Sequence, residues 1–221
     1  MTRAQYAHQL EELRGSVVAM SSMTSKAIDN AMNALLRQDM RLAQEVIAAD
    51  RTINEHRWRT EDQALLLIAT QAPMAKDLRT VAAAIHIVTD LERMADHAAG
   101  TAKIAIQTAD QAPLKPLIDL PRMCDIAREM LHDSITAYID DDEAAARAIV
   151  DRDDEVDALY DQIYRELLTF MMADPSTINQ ATHLLWAAHN LERIADRVTN
   201  ICEQVVFTAT GQLEELAVST Y

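Results

Sequence analysis

The motif Asp90-Leu-Glu-Arg-Met-Ala-Asp96 recurs one hundred positions later as Asn190-Leu-Glu-Arg-Ile-Ala-Asp196. Each copy places a Glu and an Asp four residues apart, a spacing that puts both carboxylates on one face of an α-helix. Two like charges at that spacing cost about 0.2–0.5 kcal/mol unless a positive charge lies between them. A chain that keeps this arrangement in both copies is therefore expected to hold a counterion for it.

A second match extends the repeat toward the N-terminal side of each motif. Residues 39–54 align without a gap onto residues 142–157, and both segments begin with an acid and carry Ala at the fifth position. The alignment pairs Asp50 with Asp153. We therefore predict two tandem copies of a three-helix unit, the first over residues 1–112 and the second over residues 113–221.

The composition favours long packed helices over a sheet. Of 221 residues, 49% are hydrophobic but only 4% are aromatic, and the chain has only three Gly and five Pro. Prolines and two acidic N-cap candidates, Asp39 and the run Asp140-Asp141-Asp142, divide the chain into six helices. These are predicted at roughly 3–37, 40–71, 74–109, 118–139, 142–172 and 176–209. The predicted fold is all-α, with two three-helix bundles related by a pseudo-two-fold repeat.

Charge and motif content exclude several classes of function. The formal net charge of −15 argues against nucleic acid and anionic lipid as direct ligands. We find no apolar signal region and no apolar run of about 20 residues, and the two cysteines, Cys124 and Cys202, lie far apart. A cytoplasmic protein is therefore predicted. No phosphate-cradling glycine loop, nucleophile elbow or Cys-x-x-Cys motif occurs, so we predict a protein that is not an enzyme.

Each half carries two acidic i,i+4 motifs on neighbouring helices, at the edge of the predicted apolar seam. Carboxylates in such positions can converge, and four carboxyl or amide oxygens suit Fe, Mn, Mg or Ca, with Zn also possible. The predicted metal-binding residues are Asp50, Asn54, Glu92 and Asp96 in the first half, and Asp153, Asp157, Glu192 and Asp196 in the second.

The same pattern has a simpler interpretation. Acidic i,i+4 motifs are common on solvated helices, and Arg51, Arg93 or Arg193 could neutralise them as salt bridges. Two alternative functions follow: a carboxylate-bridged metalloprotein of unknown activity, or a structural helical bundle with solvated acidic faces.

The two tandem three-helix repeats with their paired acidic motifs resemble the PhoU family of phosphate-transport accessory proteins. Gln71-Ala-Pro-Met-Ala-Lys-Asp-Leu-Arg79 also resembles the corner between the second and third helices of that family. The resemblance covers about residues 5–208. No single motif is specific, whereas the order and spacing of the motifs are.

The resemblance implies a cytoplasmic, often dimeric, all-helical protein that represses the phosphate-starvation response. It implies two partners, a sensor histidine kinase and the ATPase subunit of a phosphate ABC transporter. Some members carry multinuclear iron or zinc clusters on the acidic motifs, so Fe or Zn is implied as a cofactor, with Mg or Mn as other oxygen-preferring cations. Two features of the sequence depart from the family pattern. Asn54 replaces an acid of the first motif. The second repeat has Met171-Met-Ala-Asp-Pro175 in place of the corner sequence.

Overall fold

The computed structural model describes residues 3–216, with the side chains of residues 5–216, and consists of α-helices joined by short connections. The helices are α1 (Arg3–Arg37), α2 (Met40–Gln71), α3 (Lys76–Thr108), α4 (Asp119–Asp140), α5 (Glu143–Val150), α6 (Asp153–Ala173) and α7 (Ile178–Thr210). A 3₁₀ turn over Pro175–Thr177 precedes α7. No strand occurs in this part of the chain, and the predicted all-α fold is confirmed.

The start of α2 and the start of α5 are built in the same way. The side chain of Asp39 accepts a hydrogen bond from the Leu42 amide at 3.0 Å, and Asp142 accepts one from Ala145 at 3.0 Å. Each carboxylate therefore satisfies an amide that the first helical turn leaves without a partner. The residue before each cap, Gln38 or Asp141, has a left-handed φ of 53° or 52°. Both predicted N-caps are confirmed, in matching positions of the two repeats.

The fifth predicted helix, residues 142–172, was expected to be continuous but is interrupted. Asp151 and Arg152 form a turn between α5 and α6, so that Asp153 begins a new helix. The break places the acidic run from Asp153 to Glu155 in a first helical turn, where the helix dipole favours negative charge. The other predicted helix ends fall within two residues of the observed ones.

The helices form two bundles that are joined through α3 and α7. In the first bundle α1 packs on α2 and α3, and in the second α4 packs on α5, α6 and α7, while α1 also contacts α4. The buried positions repeat at the spacing of the motifs: Leu91 and Leu191 are both buried, and so are Ala95 and Ala195. This agreement confirms the predicted structural repeat.

A polar seam crosses the contact between α3 and α7. Oδ1 of Asp90 accepts hydrogen bonds from Asn200 at 3.2 Å and from Arg197 at 3.4 Å. The matching position in the second half is Asn190, whose Oδ1 lies 3.2 Å from Nδ1 of His97. Both contacts join an antiparallel helix pair near its middle, so the two acidic motifs lie close to the centre of the molecule.

Candidate functional site

The first cluster comprises Asp50 and Asn54 of α2 with Glu92 and Asp96 of α3. Burial raises the pKa of Asp50, and the negative charge of Asp96 raises it further. Nδ2 of Asn54 donates to Oδ2 of Asp50 at 3.3 Å, whereas Oδ1 of Asp50 is buried with no hydrogen-bond partner among the described residues. Asp96 therefore lies near enough to Asp50 for its negative charge to disfavour the ionisation of Asp50.

An arginine of α2 partly neutralises the first cluster. Nη1 of Arg57 lies 3.7 Å from Oε1 of Glu92, and its Nε lies 3.6 Å from Oε1 of Glu61. Burial raises the pKa of Glu92, and the positive charge of Arg57 opposes that rise. Arg57 is three positions after Asn54 and therefore lies on the same helix face. The positive charge beside Glu92 of α3 therefore comes from Arg57 of the facing helix, α2.

The second cluster comprises Asp153 and Asp157 of α6 with Glu192 and Asp196 of α7. Burial raises the pKa of Asp153 to about 7, and the charges of Asp196, Asp157 and Glu192 contribute to the rise. Burial also raises the pKa of Asp157, with Asp196 the next cause. Glu192 itself is only 4% exposed. Four carboxylates therefore face one another here, at a larger electrostatic cost than in the first cluster.

The cation that contacts the second cluster, Arg193, comes from α7 itself, whereas burial lowers the pKa of the neighbouring His189 and favours its neutral form. Nη1 of Arg193 lies 2.7 Å from Oδ2 of Asp196 and 3.8 Å from Oε1 of Glu192. Nδ1 of His189 lies 3.3 Å from Oε2 of Glu192, and the same imidazole packs on the ring of Tyr160 with centroids 6.3 Å apart. Tyr160 occupies the position that matches Arg57, so α6 lacks the arginine that α2 contributes.

The residues present suit a hard cation in their chemistry. Oδ1 of Asp153, like that of Asp50, is buried without a hydrogen-bond partner in the described part of the chain, and a cation would satisfy both. The side chains of each cluster do not, however, converge on one point. Across the described residues, no three His, Cys, Asp or Glu side chains are gathered tightly enough to hold a metal ion. The predicted ligands of each half lie on helices that pack together, and their metal binding stays a prediction.

The sequence predicts Arg51, Arg93 and Arg193 as counterions, but not Arg57, the arginine that joins α2 to α3. Arg193 does contact its cluster, whereas Arg51 pairs with Glu55 at 3.1 Å instead. Arg57 could have been found from its spacing, because it follows Asn54 by one helical turn. The interpretation of the acids as a plain solvated face does not hold for Glu192, which is buried.

The order of these elements matches a known family. A family model described as the PhoU domain matches residues 17–105 and again residues 120–205. The chain belongs to the PhoU family. Each matched range contains all the residues of one cluster, on α2 and α3 in the first and on α6 and α7 in the second.

Relatives match the PhoU-family chain over nearly its whole length. The phosphate-specific transport system accessory protein PhoU homolog of Aquifex aeolicus is 39% identical over 205 residues, or 93% of each chain. The homolog of the same name from Clostridium acetobutylicum is 37% identical and covers 98% of this chain and 99% of its own.

Solved structures of PhoU proteins share the architecture. The crystal structure of PhoU from Pseudomonas aeruginosa superposes with a TM-score of 0.89 at 31% identity, covering 94% of this chain and 100% of that one. PhoU from Streptococcus pneumoniae gives a TM-score of 0.88 at 30% identity, covering 95% and 99%. Within residues 3–216, none of the helices is long and apolar enough to cross a bilayer.

Proposed function

We propose that this protein is a cytoplasmic, non-enzymatic regulator of phosphate uptake. The observation that carries the proposal is the match, over 93% of each chain, to a protein named as an accessory to the phosphate-specific transport system. Both repeats of the chain take part in that match, so the whole protein, and not a single shared bundle, resembles the accessory proteins. The strongly acidic surface suits contacts with basic protein surfaces.

In this role the protein represses the phosphate-starvation response. It acts between a phosphate ABC transporter and a sensor histidine kinase, and its direct partners are the kinase and the transporter ATPase subunit. A homodimer is part of the proposal. The helical surfaces act by binding, because regulation of this kind requires contact with two partners and no chemical step.

We further propose that the clusters bind a divalent or trivalent cation, with Fe or Zn in a multinuclear site, or Mg or Mn, as candidates. Asp153, Asp157, Glu192 and Asp196 would hold it in the second half. The bound cation would supply positive charge that offsets the repulsion among these carboxylates. Affinity of oxygen ligands for hard cations rises with the number of ligand charges, so the second cluster binds more tightly than the first.

Deletion of the gene tests the regulatory role. In phosphate-replete medium, the deletion strain should express its phosphate-uptake genes at a level that the parent reaches only during starvation. Transcript measurement before and after reintroduction of the wild-type gene checks this. A normal phosphate response in a strain without a paralogue would contradict the proposal. Affinity capture from phosphate-replete cells then asks whether the kinase or the transporter ATPase is bound.

A further inference from the structure

A line of exposed apolar side chains runs along α6 and α7, from the second cluster to the turn that joins the two helices. We call it the apolar stripe, and it comprises Tyr164, Leu168 and Met172 on α6 with Ile178 and Trp186 on α7. Met172 is 77% exposed and Trp186 is 64% exposed. Single exposed apolar residues are ordinary, but a contiguous apolar patch on a protein surface marks an interaction site.

The stripe follows two helices that run antiparallel, and on α7 the polar Thr182 lies between Ile178 and Trp186. The rings of Tyr160 and His189 pack together next to Glu192, which fixes the register at the edge of the second cluster. One turn farther toward the joining turn, Tyr164 lies level with Trp186. The acidic cluster and the apolar stripe are therefore two ends of a single surface.

The matching surface of the first half has a different character. The positions that correspond to the stripe are occupied by Glu61, Leu65, Ala69, Leu78 and His86. Because the two repeats share their buried positions, the fold does not require apolar residues on the surface of α6 and α7. Trp58 and Leu66 are also exposed on α2, but the acid Asp62 lies between them. The first half also exposes Leu65, Met74 and Leu78, but Glu61 and His86 stand where the stripe has Tyr164 and Trp186.

We propose that the apolar stripe and the second cluster together bind an amphipathic α-helix of a partner protein. The apolar face of that helix lies on the stripe, and Lys or Arg residues at one of its ends lie over the second cluster. The distance from Asp153 to Met172 along α6 is about 28 Å, which corresponds to a helix of about 18 residues. The groove between two antiparallel helices receives a third helix readily.

Charge complementarity selects a basic end for the partner helix. Three partly exposed carboxylates, Asp153, Asp157 and Asp196, lie at one end of this surface, within a chain of net charge −15. A second copy of this chain fits poorly. In a two-fold arrangement the acidic cluster of one copy would lie over the joining turn of the other, which carries Asp174 and no basic residue over residues 171–178. The proposal does not depend on the role in phosphate uptake.

Designed peptides test the proposal on the full chain. Three helical peptides of about 18 residues share one leucine face; two carry Lys and Arg at opposite ends, and the third carries Glu in their place. Trp58→Phe leaves Trp186 as the only tryptophan, so its emission reports binding at the stripe. The titrations use protein treated with a chelator, because a metal in the second cluster would compete with basic side chains.

Matched double variants identify the surface that binds. At least one basic peptide should shift the Trp186 emission to shorter wavelength and bind at least about tenfold more tightly than the Glu peptide. Leu168→Ser with Met172→Ser should weaken that binding by about tenfold or more, whereas Leu65→Ser with Leu78→Ser should leave it unchanged. Circular dichroism verifies that both double variants keep their helix content.

Three results would overturn the proposal. The first is that no basic peptide binds. The second is equal binding to both double variants, which would indicate charge attraction to an acidic surface without use of the stripe. The third is that sedimentation shows a dimer of the wild type that becomes a monomer in the stripe variant, in which case a second copy of this chain occupies the surface.

Discussion

The two halves of this PhoU-family protein share a scaffold but treat the same acidic positions differently. In the first cluster an amide, Asn54, replaces an acid, and Arg57 brings a positive charge from the facing helix to Glu92. In the second cluster all four positions are acids, and Tyr160 replaces that arginine. Burial, together with the charges of the neighbouring acids, raises the pKa of Asp153 to about 7. Duplication has preserved the helices and the buried residues while the electrostatics have diverged.

The difference teaches that similar motifs need not have the same function. The first cluster receives a positive charge from the facing helix through Arg57, so we expect it to bind a cation more weakly than the second. In the second cluster Arg193 neutralises part of the charge of Asp196 and Glu192, but Asp153 keeps a raised pKa. Sites that keep such a cost are candidates for binding a ligand that removes it.

The largest expected change in the free energy of unfolding concerns the polar seam between α3 and α7. There the two halves also differ in charge. Asp90→Ala removes the acceptor of Arg197 and Asn200 and leaves a partly buried guanidinium without its partner. We expect the free energy of unfolding to fall by about 3 kcal/mol. At the matching position, Asn190→Ala breaks a neutral contact with His97 and should cost about 1 kcal/mol. Urea denaturation of both variants measures the difference. Equal losses of unfolding free energy would show that the charged contact of Asp90 contributes no more than the neutral contact of Asn190.

A pH-dependent effect of intermediate size is expected in the second cluster. The pKa of Asp153 is higher in the folded state than in the unfolded chain, so its ionisation favours unfolding. The penalty is absent below about pH 4, grows as the pH rises, and is complete above about pH 7. In metal-free protein Asp153→Asn should therefore raise the free energy of unfolding at pH 8 by about 1–2 kcal/mol, after allowance for solvent screening.

The matched variant Asp50→Asn is the control for this pH effect. Burial and Asp96 also raise the pKa of Asp50, but Lys103 and Asn54 oppose the rise, so its gain should be smaller. Both gains are measured as differences from the wild type by denaturation at pH 4 and pH 8. A gain from Asp153→Asn that is as large at pH 4 as at pH 8 would contradict the assignment to ionisation.

The smallest expected effect comes from the arginine of the first cluster. Arg57→Tyr installs the residue found at the matching position of the second half and removes the cation beside Glu92. Because the pair is partly exposed and 3.7 Å apart, the loss in unfolding free energy should be at most about 1 kcal/mol. The loss should also shrink in high salt. A loss above about 2 kcal/mol would mean that Arg57 supports packing and not only charge.

Most of the fold could be predicted from the sequence, because prolines, acidic caps and the repeat spacing are local signals. Asp39 and Asp142 were recognisable as N-caps, and both serve as such. The break at Asp151 and Arg152 was not predicted, since it involves neither Gly nor Pro. Arg152 there pairs with Glu129 of α4 at 2.7 Å, a tertiary contact that no local pattern encodes.

The residues of the two clusters could be predicted from the sequence, but their burial could not. The facing of Asp50 with Asp96, and of Asp153 with Asp196, follows from helix periodicity and is reflected in their electrostatic coupling. The burial of Glu192, against the partial exposure of Glu92, depends on how α7 packs between α3, α4 and α6. Exposure along the apolar stripe likewise depends on packing, because residues spaced four apart on a helix could equally line a core.

The central claim is that the second cluster, which lacks an arginine from the facing helix, binds a cation more tightly than the first, which has Arg57. Calorimetric titration of chelator-treated protein with Mn²⁺ tests it through two reciprocal exchanges. Asp157→Asn with Tyr160→Arg gives the second half the charges of the first, and Asn54→Asp with Arg57→Tyr does the reverse. We predict that the first exchange weakens the tightest Mn²⁺ binding of the wild type by about tenfold or more, and that the second adds a comparable site. Tight binding that survives the first exchange, or no Mn²⁺ binding by the wild type, would contradict the claim.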